Sequence, residues 1–244
     1  MRPSVTSALR ALVILVALAA AGALLASGPG YRAGWWHFRV GISLVRWSAY
    51  LGVAALVLSA IAMAVPRLRA TGPRLLTLAL VLSLGVTITT LTWAQRAWSV
   101  PRIHDISTDT DNPPQFAAVL PLRTGAENKP EYDGKEVAEL QKKAYPDIQT
   151  LELAVPKHVA WARARTAAQE LGWQIVSSDP AAGRVEAVDT TGWFGFKDDI
   201  VVRIVTTTDG VSRVDVRSKS RVGRSDIGTN ARRIRAFLDK LRVA

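Results

Sequence analysis

The stretch KDDIVVRIVTTTDGVSRVDVRSKSR, residues 197–221, decides the fold of the C-terminal half of the chain. Apolar and polar side chains alternate on both sides of a single turn, which is typical of a half-buried β-hairpin. A three-residue loop at 208–210, with Gly210 in the left-handed conformation, would place Val211 opposite Thr207. The sequence therefore predicts an antiparallel hairpin whose register follows from its loop.

This register separates the two faces of the hairpin by chemistry. The core face carries mainly apolar pairs: Ile204 with Val214, Val202 with Val216, and Ile200 with Ser218. The opposite face carries two pairs of opposite charge, Arg203 with Asp215 and Asp199 with Lys219. A two-residue loop would place Ile204 opposite Asp215 and is rejected. Because Asp215 interrupts the basic stripe, we predict a solvated strand face and no nucleic-acid surface; the stripe is Arg213, Arg217, Lys219 and Arg221.

Working outward, the flanking residues complete an α+β domain over residues 147–244. A strand near 150–155 precedes a helix that begins at Pro156 and ends at Gly172. Two strands flank the turn at 179–183, and a last helix with an apolar face runs from about 225 to 241. The order β-α-β-β-β-β-α predicts an antiparallel sheet with the helices packed on one face. Residues 99–146 form a Pro-rich, irregular segment with one short helix near 134–144.

The first 98 residues have the composition of a membrane anchor. Residues 1–95 contain 8 Arg, no Lys and no acidic residue, whereas residues 96–244 contain 23 basic and 20 acidic residues. The chain's net charge of +11 is therefore mainly a property of membrane flanks. Charge-free apolar runs cover 11–27, 47–65 and 75–95, close to the roughly 20 residues that a spanning helix needs. The sequence predicts three transmembrane helices, the first ended by Gly28-Pro29-Gly30.

The flanks of these spans indicate how the protein is oriented. The loop at 66–74 is rich in arginine (Arg67, Arg69 and Arg74) and lies on the same side as the N-terminus. The opposite interface carries an aromatic belt that includes Trp35, Trp36, Trp47, Trp93 and Trp98. By the positive-inside rule we expect the inner (cytoplasmic) membrane, with the N-terminus inside and the C-terminal domain on the periplasmic side. The first span also resembles a signal peptide, whose cleavage would change the helix count but not the side of the domain.

Several blocks of the C-terminal half resemble a known family. They are IHDISTD (103–109), NPP (112–114), YPDI (145–148), FKDD (196–199) and RSKSRVG (217–223), with Asp226, Gly228 and Asn230. In this order they resemble the bacterial and plastid family catalogued as domain of unknown function 1499, over roughly residues 101–242. The resemblance implies a module that is often membrane-associated or exported and has no assigned reaction. It therefore supplies no catalytic residues.

A first candidate site lies in the irregular segment and contains His104, Asp105, Asp109 and Asp111. An imidazole and three carboxylates could bind a divalent metal or carry out acid–base chemistry. The alternative is structural, because Asp and Asn before two prolines also suit Asx turns and an extended connection. The chain contains no Cys, which excludes thiol nucleophiles and Cys-ligated metals. We predict no cofactor beyond this possible metal.

A second candidate site lies where the final hairpin meets the last helix. Asp198 faces the core there and must be paired, with Ser220 and with Arg221 or Arg224, either as a structural latch or as part of a site. The first-turn amides of the last helix could also bind an anion beside arginine side chains. The residues of this cluster are Asp198, Ser220, Arg221, Arg224, Ser225, Asp226 and Asn230.

Two functions from different classes are compatible with these features. The first is a non-enzymatic, membrane-anchored envelope module that binds a partner protein, lipid or small anion. The second is a metal-dependent or hydrolase-like enzyme that uses His104 and the nearby aspartates. The sequence contains no Gly-x-Ser-x-Gly elbow, phosphate loop or His-Glu-x-x-His motif, which favours the first.

Overall fold

The computed structural model describes residues 5–70, 72–207 and 209–243, which form two compact units. The first unit contains the chain up to Gln95 together with Trp193–Gly195. The second contains Arg96–Gly192 and continues from Phe196 to the C-terminus. Each unit has its own core and is described separately below.

The first unit consists of three long apolar helices and one short connecting helix. They are α1 (Val5–Arg32), α2 (Phe38–Ala64), α3 (Pro66–Arg69) and α4 (Pro73–Ser99). By length and composition, α1, α2 and α4 are each long and apolar enough to cross a membrane. The prediction that Gly28-Pro29-Gly30 ends the first helix is wrong. Pro29 lies in the last turn of α1, where its missing N–H costs one hydrogen bond, and its carbonyl still accepts from Ala33 N at 2.8 Å.

Small side chains allow α2 to pack closely against its neighbours. Its buried positions recur at helical spacing and are mostly small: Gly41, Ser48, Gly52, Ala55, Ser59 and Ala62. A Cβ atom on Gly52 would lie only 2.9 Å from Cγ1 of Val86 in α4. Close approach of backbones over small residues is a common way for membrane helices to associate, because lipid supplies little hydrophobic driving force between them.

The second unit is a six-stranded antiparallel sheet with helices, which confirms the predicted fold class. Its strands are β1 (Asp105–Ser107), β2 (Leu151–Leu153), β3 (Gln174–Asp179), β4 (Arg184–Thr190), β5 (Lys197–Thr206) and β6 (Ser212–Ser220). The order is β1-β6-β5-β4-β3, and β2 also pairs with β6. The helices are α5 (Lys135–Ala144), α6 (Lys157–Glu170) and α7 (Thr229–Val243). Strand β1 was not predicted; it adds part of the irregular segment to the sheet.

The apolar core lies between one face of the sheet and helices α6 and α7. Ile200 and Val202 of β5 and Val214 of β6 are at most 1% exposed and pack there. Trp173 stacks on Phe237 of α7 with ring centroids 5.1 Å apart. This face is called the helix-side face below, and the other is called the charged face.

The register predicted for the final hairpin is confirmed at every proposed pair. Asp198 faces Ser220, Ile200 faces Ser218, and Arg203 faces Asp215. Gly210 has φ +76°, the left-handed conformation that the loop requires, while Thr208 lies outside the described residues. Alternation and turn chemistry were enough to predict this register, because a slip of one residue would move the apolar side chains of a strand to the opposite face of the sheet.

The prediction that the charged face is solvated is wrong. Arg217 and Lys219 are both 0% exposed, because residues 113–133, called the covering segment, lie across this face. Phe116 and Val119 of that segment pack on Val188 and Val201 of the sheet. The carboxylate of Glu186 also accepts hydrogen bonds from backbone amides of the segment, those of Ala117 and Val119. The charged residues therefore belong to a second, polar core.

The last helix begins four residues later than predicted, at Thr229 instead of Ser225. Ile227 and Gly228 adopt positive φ values of 53° and 70°, which form a turn and cannot continue a helix. Asp226 closes this turn: its carboxylate accepts hydrogen bonds from Gly228 N and Asn230 N, each at 2.8 Å. Asp226, which lies three residues before the start of α7, thus caps this helix.

Candidate functional site

On the helix-side face, Arg233 of α7 binds two carboxylates that the sheet register places side by side. Asp198 and Asp189 are cross-strand neighbours on β5 and β4. The guanidinium donates to Asp198 Oδ2 from Nη2 at 2.7 Å and to Asp189 Oδ2 from Nε at 2.8 Å. Burial raises the pKa of Asp198, and the nearby Arg233 opposes this rise. The prediction that Asp198 pairs with Arg221 or Arg224 is wrong, because the partner is Arg233.

Asn230 extends this cluster to the end of the sheet. Its side-chain oxygen accepts from Ser218 Oγ at 2.6 Å, and its nitrogen donates to Ser220 Oγ and to the carbonyl of His104, each at 3.0 Å. Asn230 is 0% exposed, so every polar atom of its side chain needs such a partner. Together with Arg233 it joins α7 to β5, β6 and the segment before β1.

The remaining members of the predicted second site are dispersed. Arg221 projects from the charged face and pairs with Asp199 at 2.7 Å, on the side of the sheet opposite Asp198. Ser225 Oγ accepts a long hydrogen bond from Ile227 N at 3.3 Å. The carboxylate of Asp226 already takes two amides at the start of α7, where an anion was expected, and burial raises its pKa. Arg224 is exposed. The structure thus unites Asp198, Ser220 and Asn230, with Asp226 bonded to the Asn230 amide, and it separates Arg221, Arg224 and Ser225 from them.

On the charged face, Asp105 is the centre of a buried ion cluster. Arg217 donates to its two oxygens, at 2.8 and 2.9 Å, and Lys219 Nζ lies 3.1 Å from Oδ2. Lys219 also contacts Asp133 at 2.7 Å. The guanidinium of Arg217 lies between two aromatic rings, 4.6 Å from the centroid of Phe116 and 5.4 Å from that of Tyr132. Burial raises the pKa of Tyr132.

Two further ion groups flank this centre, and the buried carboxylate of each is paired with arginine. Asp199, which is 0% exposed, binds Arg123 of the covering segment and Arg221 of the chain after β6. Asp215 binds Arg203 at 2.8 Å and accepts hydrogen bonds from Thr108 and Thr150. Because Asp215 is 1% exposed, the Arg203–Asp215 pair is not the exposed pair that the sequence suggested.

The residues of the first predicted site do not converge. Asp105 is enclosed by Arg217 and Lys219, and His104 Nε2 lies 3.2 Å from Asp133. Asp109 accepts the amides of residues 111 and 112 and binds Arg203 at 3.0 Å, whereas Asp111 is exposed beside Lys142. In the described part of the chain, no three His, Asp or Glu side chains form a group that could hold a metal ion.

A pocket of about 460 Å³ opens at the edge of the charged face, beside two of these aspartates. Its wall contains residues 108–111, the end of α5 at Gln141 and Lys142, the chain around 145–150, and Arg213 of β6. Gln141 is 1% exposed and is fixed by two hydrogen bonds to the backbone of Ser107. No sequence motif indicated this pocket, because its parts lie up to about a hundred residues apart in the chain.

Comparison with known proteins defines the family of the second unit. No curated protein matches the chain at a significant level. A family model described as "Protein of unknown function (DUF1499)" matches residues 105–241, from the first residue of β1 into the last helix. The match covers more than half of the chain and includes both the charged face and the Arg233 cluster. The chain therefore belongs to the DUF1499 family and carries three apolar, membrane-length helices before its family domain.

Proposed function

We propose that the protein is a membrane-anchored, non-enzymatic binding module of the cell envelope, with its family domain on the periplasmic side. One observation carries the non-enzymatic part of this proposal. The acidic and basic side chains at the centres of the two buried clusters are engaged with one another as structural pairs, Asp105 with Arg217 and Asp198 with Arg233. A catalytic acid or base has to reach a substrate, and these groups are at most 4% exposed in side-chain area.

The orientation is supported by the three membrane-length helices and by their flanks. An odd number of spans places the N-terminus and the family domain on opposite sides of a membrane. Residues 66–74, which join α2 to α4 and include the first two residues of α4, carry Arg67, Arg69 and Arg74, and the opposite ends of the helices carry tryptophans. Arginine-rich short loops stay in the cytoplasm, so the family domain is placed outside.

Fusions to reporter enzymes test the orientation. We expect alkaline phosphatase, which is active only after export, to be active when fused after Val243 and inactive when inserted between α3 and α4. A cytoplasmic reporter such as β-galactosidase should give the reverse pattern. Activity of the cytoplasmic reporter after Val243 would contradict the periplasmic placement.

The rival function is a metal-dependent or hydrolase-like enzyme that uses His104 and the nearby aspartates. Its metal-dependent form requires a divalent metal bound in stoichiometric amount by the purified full-length protein and released by His104→Ala. Our proposal expects equal, substoichiometric metal in the wild type and in His104→Ala. Elemental analysis of both proteins therefore separates a metal-dependent enzyme from our proposal.

A further inference from the structure

We propose that the pocket bounded by residues 108–111, the end of α5, residues 145–150 and Arg213 binds a small hydroxylated molecule with one carboxylate or phosphate group. Arg213 would hold the anionic group. This inference rests on the proposed binding function and names the ligand class for it. The volume of about 460 Å³ is within the usual range for small-molecule sites, roughly 300 to 1,000 Å³.

The charges around the pocket indicate an anion. Of its two carboxylates, Asp109 is bound by Arg203 at 3.0 Å and by two backbone amides. Asp111 is paired with Lys142 at 3.2 Å. Among the described residues, no carboxylate forms an ion pair with Arg213, whose cross-strand neighbour on β2 is Glu152. Arg213 is therefore a cation of the pocket wall without an ion-pair partner among the described residues, and its planar guanidinium fits a carboxylate or phosphate in a bidentate manner.

The pocket wall is both polar and rigid. Thr108 and Thr150 donate their hydroxyls to Asp215, and Gln141 is fixed to Ser107, so this part of the wall is ordered without a ligand. The rim adds hydroxyl and amide groups from Thr110 and Gln149. These two rim groups can bond to the hydroxyl groups of a polyol, each of which needs a hydrogen-bond partner when water is displaced.

Ligand-dependent thermal stability of the full-length protein in detergent tests the site. The probes are glycerol 3-phosphate and glycerate, which share a hydroxylated body and differ in their anionic group; glycerol is the neutral control. We expect at least one anion to raise the melting temperature by a few degrees in a saturable manner at low salt, and glycerol to have no effect. The anion that responds identifies the source of the charge. No response to either anion, or an equal response to glycerol, would overturn the proposal.

Matched variants test whether the rise in melting temperature comes from binding in the pocket. Arg213→Gln should remove it, whereas Arg224→Gln, which removes an exposed arginine outside the pocket, should retain it. Gln149→Trp fills the pocket from an exposed wall position and should also remove the response. If Arg213→Gln fails to fold, Gln149→Trp still tests whether the probe binds in the pocket. A full response in Gln149→Trp or in folded Arg213→Gln would contradict the site.

Recovery of the probe separates this inference from the function on which it rests. After incubation with the protein, mass spectrometry should find the bound probe unchanged. Conversion of a probe that binds at Arg213 would refute the non-enzymatic function and leave the site standing. The absence of binding, with the reporter fusions as expected, would refute the site and leave the membrane-anchored module standing.

Discussion

Replacing Arg233 with methionine should lower the free energy of unfolding of the family domain by roughly 3 to 5 kcal/mol, the usual cost of removing one partner of a buried ion pair. Arg233 holds both Asp198 and Asp189, and its side chain is 4% exposed. This loss of stability should exceed the loss caused by Asp198→Ala, because Arg233 is still paired with Asp189 in that variant. Hydrogen exchange of the β5 and α7 amides in the full-length protein measures both losses.

The effect of Arg233→Met should depend on pH in a defined direction. Burial already raises the pKa of Asp198, and removal of the cation should raise it further. An acid whose pKa is higher in the folded state binds a proton on folding, so stability falls as pH rises from the ordinary value of about 4 towards the raised value. The deficit relative to wild type should therefore be smaller at acidic pH than at pH 8. A deficit that grows on acidification would contradict the pairing.

A second large effect is expected for Asp105→Ala on the charged face. This change leaves Arg217 and Lys219 buried at 0% exposure, with Asp133 as the remaining nearby carboxylate of Lys219. We expect a loss of roughly 3 to 5 kcal/mol, because two buried cations lose a shared partner. Thermal unfolding of the full-length protein in detergent gives the comparison with wild type.

Asp111→Ala is the matched control for Asp105→Ala. It removes a carboxylate six residues further along the chain. The side chain of Asp111 is 88% exposed and pairs with Lys142. Its melting temperature should stay close to that of wild type, since exposed pairs contribute little. In Asp105→Ala, hydrogen exchange should increase first in the covering segment. Equal melting temperatures for the two variants would show that Asp105 does not hold the charged face together.

The hairpin was predictable because its signals are local. Alternation in β5 and β6, together with Gly210 in the turn, fixes which residues face each other. The Arg233 latch was not predictable in this way. Asp198 clearly needed a partner, but several arginines were available, and Arg221 and Arg224 were nearer in sequence. Their choice assumed that α7 begins at Ser225, whereas the positive φ values at Ile227 and Gly228 delay the helix to Thr229.

The charged face was misread for a different reason. A strand with alternating charged residues has the same pattern whether water or a polar covering segment lies on it. The covering segment is irregular and lies about a hundred residues before β6, so no periodicity links the two. The predicted pairing of Arg203 with Asp215 is present in the structure, but the pair belongs to a buried network. Thr108 and Asp109, which precede the covering segment, reach the pocket through the same irregular part of the chain, which explains why that candidate site was also missed.

The structural role of the charged face is tested most directly by the reactivity of Lys219 in the folded, full-length protein. Lys219 is 0% exposed, whereas the side chain of Lys142 is 50% exposed and serves as an internal control. With an amine-acylating reagent and mass spectrometry, we expect Lys219 to react at least on the order of a hundredfold more slowly than Lys142, and to react freely after denaturation. Similar rates for the two lysines in the folded protein would show that the charged face is open, and would contradict a purely structural role for its residues.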